Sequence, residues 1–102
     1  MHKVGERVGA ILSGDEKAIK FLGFGEYVGE EVPPADTGGF GSMIHEAGLT
    51  NPKIKLDNGK IVWGCECWWG GEEAVKKELE VAKSAGKQIV EIDMDTYRNE
   101  SK

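Results

Sequence analysis

The chain has 102 residues, 39% of them hydrophobic and 30% charged, with a formal net charge of −5. That length predicts one domain (1–102) with a single modest core, the composition excludes disorder, and the scattered 13 Lys and Arg exclude a concentrated basic footprint for nucleic acid. No apolar run approaches the roughly 20 residues a spanning helix needs, and MHKVGERVGA lacks the apolar core of a signal peptide, so the expectation is a cytoplasmic protein with no membrane partner.

Residues 4–12 read as a first strand, with Val4, Glu6, Val8, Ala10 and Leu12 alternating against Gly5, Arg7, Gly9 and Ile11. A turn follows at Ser13-Gly14-Asp15-Glu16. Residues 18–28 read as a second strand with bulk on both sides, where Gly23 and Gly25 permit a bend or bulge. Residues 29–42 hold Pro33-Pro34, Gly38, Gly39 and Gly41, and long loops of this kind tend to be functional or mobile. Ser42 caps a short helix over 43–47 that stops at Gly48.

The stretch 54–70, IKLDNGKIVWGCECWWG, holds all three Trp and both Cys. Asn58-Gly59 predicts a type I′ hairpin turn between arms 53–57 and 60–69. In the second arm Ile61, Trp63, Cys65, Cys67 and Trp69 share an inward face, and Lys60, Val62, Gly64, Glu66 and Trp68 share the other. After Gly70-Gly71, residues 72–87 form the clearest helix, with Val75, Leu79 and Ala82 as its apolar stripe and Gly86 beyond its end. Residues 88–94 read as the last strand, with Val90, Ile92 and Met94 inward and a frayed tail from Asn99. The predicted class is α+β: a curved, mostly antiparallel sheet of about five strands, one packed C-terminal helix and a short helix in the middle.

Five chemistries compete. Cys65, Cys67, His2 and His45 are the zinc candidates, but C-x-C is not knuckle spacing, and two reduced core thiols explain the pair more simply. A catalytic Cys with His45 is weaker still, because an inward thiol between Trp rings is a poor nucleophile. Glu91, Asp93 and Asp95 on one strand face could hold Mg²⁺ for phosphoryl transfer, against the plainer reading of a solvated acidic edge. The glycine runs match neither a dinucleotide fingerprint nor a P-loop, leaving only backbone N–H groups near Ser42 to meet an anion. Aromatic stacking is the best supported of the candidates. An exposed Trp68 beside Glu66 suits a flat, partly polar ligand, and equally a protein interface or burial under the following helix.

The segments VGAILS (8–13), GFGEYVGEEVPP (23–34) and NPKIKLDNGKIVWGCECWWG (51–70) resemble a family of small phage-type proteins carried by tailed phages and their bacterial hosts. The resemblance spans about residues 4 to 92, WGCECWWG is its most specific piece, and it brings no catalytic residues to transfer. It implies a small soluble protein acting in the host cytoplasm, of a kind that inhibits or sequesters components of host defence, some members binding nucleotide second messengers.

Taken together, the sequence supports a non-enzymatic, phage-encoded binding domain that sequesters a small nucleotide-like ligand to counter host defence. Trp68, Tyr27 and Phe40 would stack, Glu66 would read polar edges, and Arg7 or Lys20 would meet negative charge. No cofactor, metal or nucleic acid is expected, and a homo-oligomer would complete the pocket. The alternatives are a protein-interaction module that blocks a host protein, and a metal-dependent hydrolase built on Glu91, Asp93 and Asp95.

Overall fold

Strands β1 (Arg7–Gly14) and β2 (Ala18–Glu31) form the central hairpin of a computed structural model that describes residues 3–35, 37 and 41–100. Asp15 closes their turn, its Oδ1 accepting the N–H groups of Lys17 and Ala18 at 2.8 Å each. The later elements are α1 (Gly41–Ala47), β3 (Asn51–Leu56), β4 (Ile61–Trp63), a 3₁₀ turn (Gly64–Glu66), β5 (Trp68–Gly71), α2 (Glu72–Ser84), β6 (Gln88–Glu91) and α3 (Met94–Glu100). The sheet is open, in the order β4-β3-β2-β1-β5, and β6 joins it by pairing in parallel with β2. The fold is therefore α+β with a mostly antiparallel sheet, as the sequence predicts. It has six strands because the expected fourth strand breaks into β4 and β5.

β2 bends because it serves two partners along one edge. Ala18–Phe21 pair with β6, while Gly25–Glu31 pair with β3. Leu22 is extra against β1 and Val28 extra against β3, so both are bulges that twist the strand. Between the two partners Gly23 adopts φ 139°, a conformation few side chains tolerate. At Gly25 a Cβ would lie 2.2 Å from the Lys55 carbonyl oxygen, so only glycine lets β3 approach. The expected flexibility of both glycines is thus put to use, one for conformation and the other for space.

The Asp57–Gly59 hairpin loop differs from its expected type. A type I′ turn needs positive φ at Asn58 and Gly59, but among the described residues only glycines have it, Gly59 at 88°. Gly59 donates its N–H to the Leu56 carbonyl, and Asn58 Oδ1 accepts from the Lys60 N–H at 2.9 Å. The loop is therefore three residues long, a type I turn followed by a left-handed glycine. The Asn side chain satisfies the next backbone donor, which removes the need for the primed turn.

The arm predicted over 60–69 is the larger correction. β4 ends at Trp63, the chain turns through Gly64–Glu66, and β5 crosses to pair with β1 in register Ile11↔Trp68 and Ala10↔Trp69. The turn breaks the two-residue alternation, so Glu66 is buried and no longer shares a face with Trp68. The last strand also stops early, at Glu91, and Met94 begins α3 where an extended end and a frayed tail were expected. Asp93 starts that helix, its Oδ1 accepting the Asp95 N–H at 3.0 Å.

The sheet buries a different set of side chains on each face. Val8 and Ala10 of β1, with Leu22, Tyr27, Ile54, Leu56 and Val62, pack around Met94 of α3. On the opposite face Ile11 and Phe21 pack against Val75 of α2, joined by Ile19, Phe24 and Leu79. The α2 stripe is thus the predicted one, and Gly86 ends the helix at φ 84°. α2 comes so close to the sheet that a Cβ on Gly9 would meet Val75 at 2.7 Å.

Candidate functional site

Trp68 and Trp69 are adjacent on β5 and therefore point to opposite faces. Trp69 turns toward the α3 side, where its ring stacks on Tyr27 with centroids 5.5 Å apart and planes 8° from parallel. The Tyr27 hydroxyl donates to Glu30 at 2.8 Å, and that bond, followed by burial, holds its pKa above the ordinary tyrosine value. Tyr27 is thereby a core residue with a satisfied hydroxyl, on the face away from Trp68.

Glu66, expected to read a ligand's polar edges, is instead joined to α3. Its side chain is fully buried and accepts from Arg98 Nε at 2.8 Å and from Arg98 Nη2. It also accepts the Trp63 N–H at 3.1 Å, while Arg98 Nη2 donates to the Ile61 carbonyl at 3.1 Å. This fork-to-fork pair ties the 3₁₀ turn to α3. The missed signal was Arg98, the last-turn cation of a helix that begins at Asp93-Met94-Asp95.

The expected anion-binding cations are also accounted for. Arg7 grips Asp57 with two 2.7 Å bonds and donates to Glu72 at 3.0 Å, which raises its own pKa and lowers those of both acids. Lys20 lies away from Trp68, in a small cavity of about 240 Å³ with Glu91 and Asp93. Phe40, Gly38, Gly39 and His2 fall outside the described residues. The structure therefore does not gather Trp68, Glu66, Tyr27, Arg7 and Lys20 into one site.

What it builds around Trp68 is an open groove of about 590 Å³. Ile11 stands directly across from Trp68 on β1, so the two side chains share a face and form the apolar floor with Leu12 and Ile19. Trp68 is 52% exposed, an unusual degree of exposure for the largest apolar side chain. The β1–β2 turn supplies Ser13, Asp15 and Glu16 at one end, and Glu78 of α2 and Lys87 complete the rim. Asp15 is held ionised, its pKa lowered first by the Ala18 and Lys17 N–H groups, with Lys20 and Lys87 as lesser causes. Glu16 and Glu78 make no hydrogen bond or ion pair among the described residues. The groove thus offers an aromatic wall, an aliphatic floor and uncommitted carboxylates.

The other candidate chemistries find no such assembly. A second groove, about 540 Å³ where β3 and β6 part from β2, includes Lys60 and Asp57. Lys60 is committed to Asp95, and Asp57 to Arg7. The carboxylates expected to line one strand face do not share a strand: Glu91 ends β6, Asp93 lies just before α3 and caps its start, and Asp95 sits within α3. No group of three or more His, Cys, Asp or Glu among the described residues is placed to hold a metal. His45 Nδ1 lies 2.9 Å from the Pro33 carbonyl, in α1. Burial, followed by the Glu66 charge, pushes the Cys67 thiol up to about 12, and burial raises Cys65 as well. Both are poor nucleophiles at neutral pH.

No helix among the described residues is long and apolar enough to cross a membrane. Compared with known proteins, the chain matches no family model, no curated protein and no solved structure.

Proposed function

We propose that this protein is a non-enzymatic binding domain that holds a small flat ligand in the Trp68 groove. The observation that supports it is the pairing of a half-exposed indole with the cross-strand Ile11 in a groove the size of a ligand site. A ring stacked on Trp68 would cover apolar surface that water now meets, and Ser13 and the rim carboxylates would accept its N–H groups. A nucleobase-sized ring fits that description. A phosphate fits it less well, since Lys87 is the rim's cation and Arg7 and Lys20 are placed elsewhere. The biological role we attach to the binding is sequestration in the cytoplasm of a phage-infected host, a role supported by the resemblance of residues 4 to 92 alone.

Native mass spectrometry on protein purified from its expression host, followed by the same run after denaturation, tests this reading. A mass excess released on denaturation, and absent from folded Trp68→Ala, is the expected result. A bare wild-type chain that ignores ring compounds would overturn it. The same spectrum reads the oligomer, which we take to be a homo-oligomer.

The second reading is a protein-interaction module that blocks a host protein. It is favoured by the position of β5 at the outer edge of the sheet, where a partner strand could add beside exposed Trp68. A partner recovered by wild type and lost with Trp68→Ala would select it.

A further inference from the structure

The charge around the Trp68 groove points to the kind of ring it takes. Resting on the proposed binding role of that groove, we infer that its ligand is a flat organic cation, such as an amidinium or guanidinium carried on or conjugated with a ring.

Three carboxylates, Asp15, Glu16 and Glu78, meet one ammonium, Lys87, around the opening. Asp15 feels the charges of Lys20 and Lys87, the lesser causes of its lowered pKa. Asp15 is also occupied by two backbone N–H groups at 2.8 Å. Glu16 and Glu78 remain, contributed by the turn and by α2, with no bonded partner among the described residues. Their charges favour a cation in the groove and oppose an anion.

The wall makes the same choice. The face of an indole carries negative electrostatic potential and attracts a cation laid over it, and a planar cation can stack there while its edge N–H groups reach outward. Trp68 lines the groove beside the apolar Ile11 and Ile19, which suits a ring and not a hydrated point charge. A flat cation therefore satisfies wall, floor and rim together. A neutral ring satisfies the first two, and a phosphorylated or carboxylated ring is repelled by the rim.

Three probes of one shape separate the terms: benzamidine, benzamide and benzoate, titrated while the Trp68 indole N–H resonance is followed by NMR. Benzamidine should bind about tenfold more tightly than benzamide, and benzoate should bind weakest. In the double variant Glu16→Gln/Glu78→Gln the benzamidine advantage over benzamide should fall to about twofold or less, with the spectrum still that of a folded protein. Benzamide binding as tightly as benzamidine, or an advantage that survives the double variant, would overturn the inference and leave the groove as a neutral-ring site. Silence of the Trp68 resonance toward all three probes would overturn both the inference and the binding role.

Discussion

The two faces of the sheet receive neighbouring tryptophans and treat them oppositely. On the α3 side Trp69 stacks on Tyr27, and the nearby Glu66 carboxylate is buried with bonds from Arg98 and the Trp63 N–H. On the α2 side Trp68 stands 52% exposed over a groove whose Glu16 and Glu78 have no bonded partner among the described residues. The first arrangement is what stability requires: apolar area removed from water, and no buried polar group without a partner. The second leaves apolar area in water and charge unpaired, which stability alone does not reward. The contrast is what supports placing the proposed binding site on the face that α2 leaves open.

The strongest way to break this contrast is to open the closed face. Arg98→Ala leaves the Glu66 carboxylate buried without its cation, and we expect a loss of about 3 kcal/mol, a fall in Tm of more than about 10 °C by thermal unfolding. Replacing both partners, Glu66→Leu with Arg98→Leu, should recover much of that loss, because the cost lies in the stranded charge. Recovery of nothing would show that the pair holds the turn by geometry.

On the α2 face, Gly9→Ala presses a Cβ against Val75 and should cost about 1–3 kcal/mol in urea unfolding, by lifting the helix from the sheet. The matching Trp68→Ala should change stability by less than about 1 kcal/mol while abolishing ring binding. A loss as large as that of Arg98→Ala would make Trp68 a structural residue and erase the contrast.

Thiol chemistry sharpens the comparison without mutation. With the Cys67 pKa near 12, iodoacetamide at pH 8 should leave Cys67 unmodified in the folded protein and alkylate it only on unfolding, while Cys65 reacts slowly. Mass spectrometry of the peptides reads both.

The smallest effect belongs to the exposed ion pairs. Arg7 lowers the pKa of Asp57 and of Glu72, so each contributes stability above its unfolded value. That contribution disappears as pH falls through the lower folded value, below about pH 4. Arg7→Gln should flatten this acid limb only slightly, and added salt should do the same to the wild type. A large acid shift on Arg7→Gln would mean that the pair carries more weight than its exposure allows.

Local pattern made several of these elements legible. Val75, Leu79 and Ala82 mark one face of a helix, Gly86 marks its end, and the alternation of Val8, Ala10 and Leu12 against Gly9 and Ile11 marks a strand read by two different cores. Trp68 could be singled out because it sits out of phase with Trp63 and Trp69. Glu66 misled because period-two reasoning assumes an unbroken strand, and nothing local in Gly64-Cys65-Glu66 announces a 3₁₀ turn. α3 was hidden for a related reason: its seven residues are too few to show a helical period, and the buried Met94 fits a strand pattern equally well.

The sequence by itself determined the class of the fold, the long helix and the central hairpin, and it singled out Trp68 as the tryptophan out of phase with the other two, because each follows from interactions within a few residues or from the alternation along a strand. The tertiary structure alone decided that Arg98 would meet Glu66 across 32 positions, that Arg7 would be spent on Asp57 and Glu72, and that Ile11, Glu16 and Glu78 would surround Trp68. Those meetings depend on β5 leaving β4 to join β1, a choice between distant edges made by the whole packed core, and the Trp68 groove is a property of that choice.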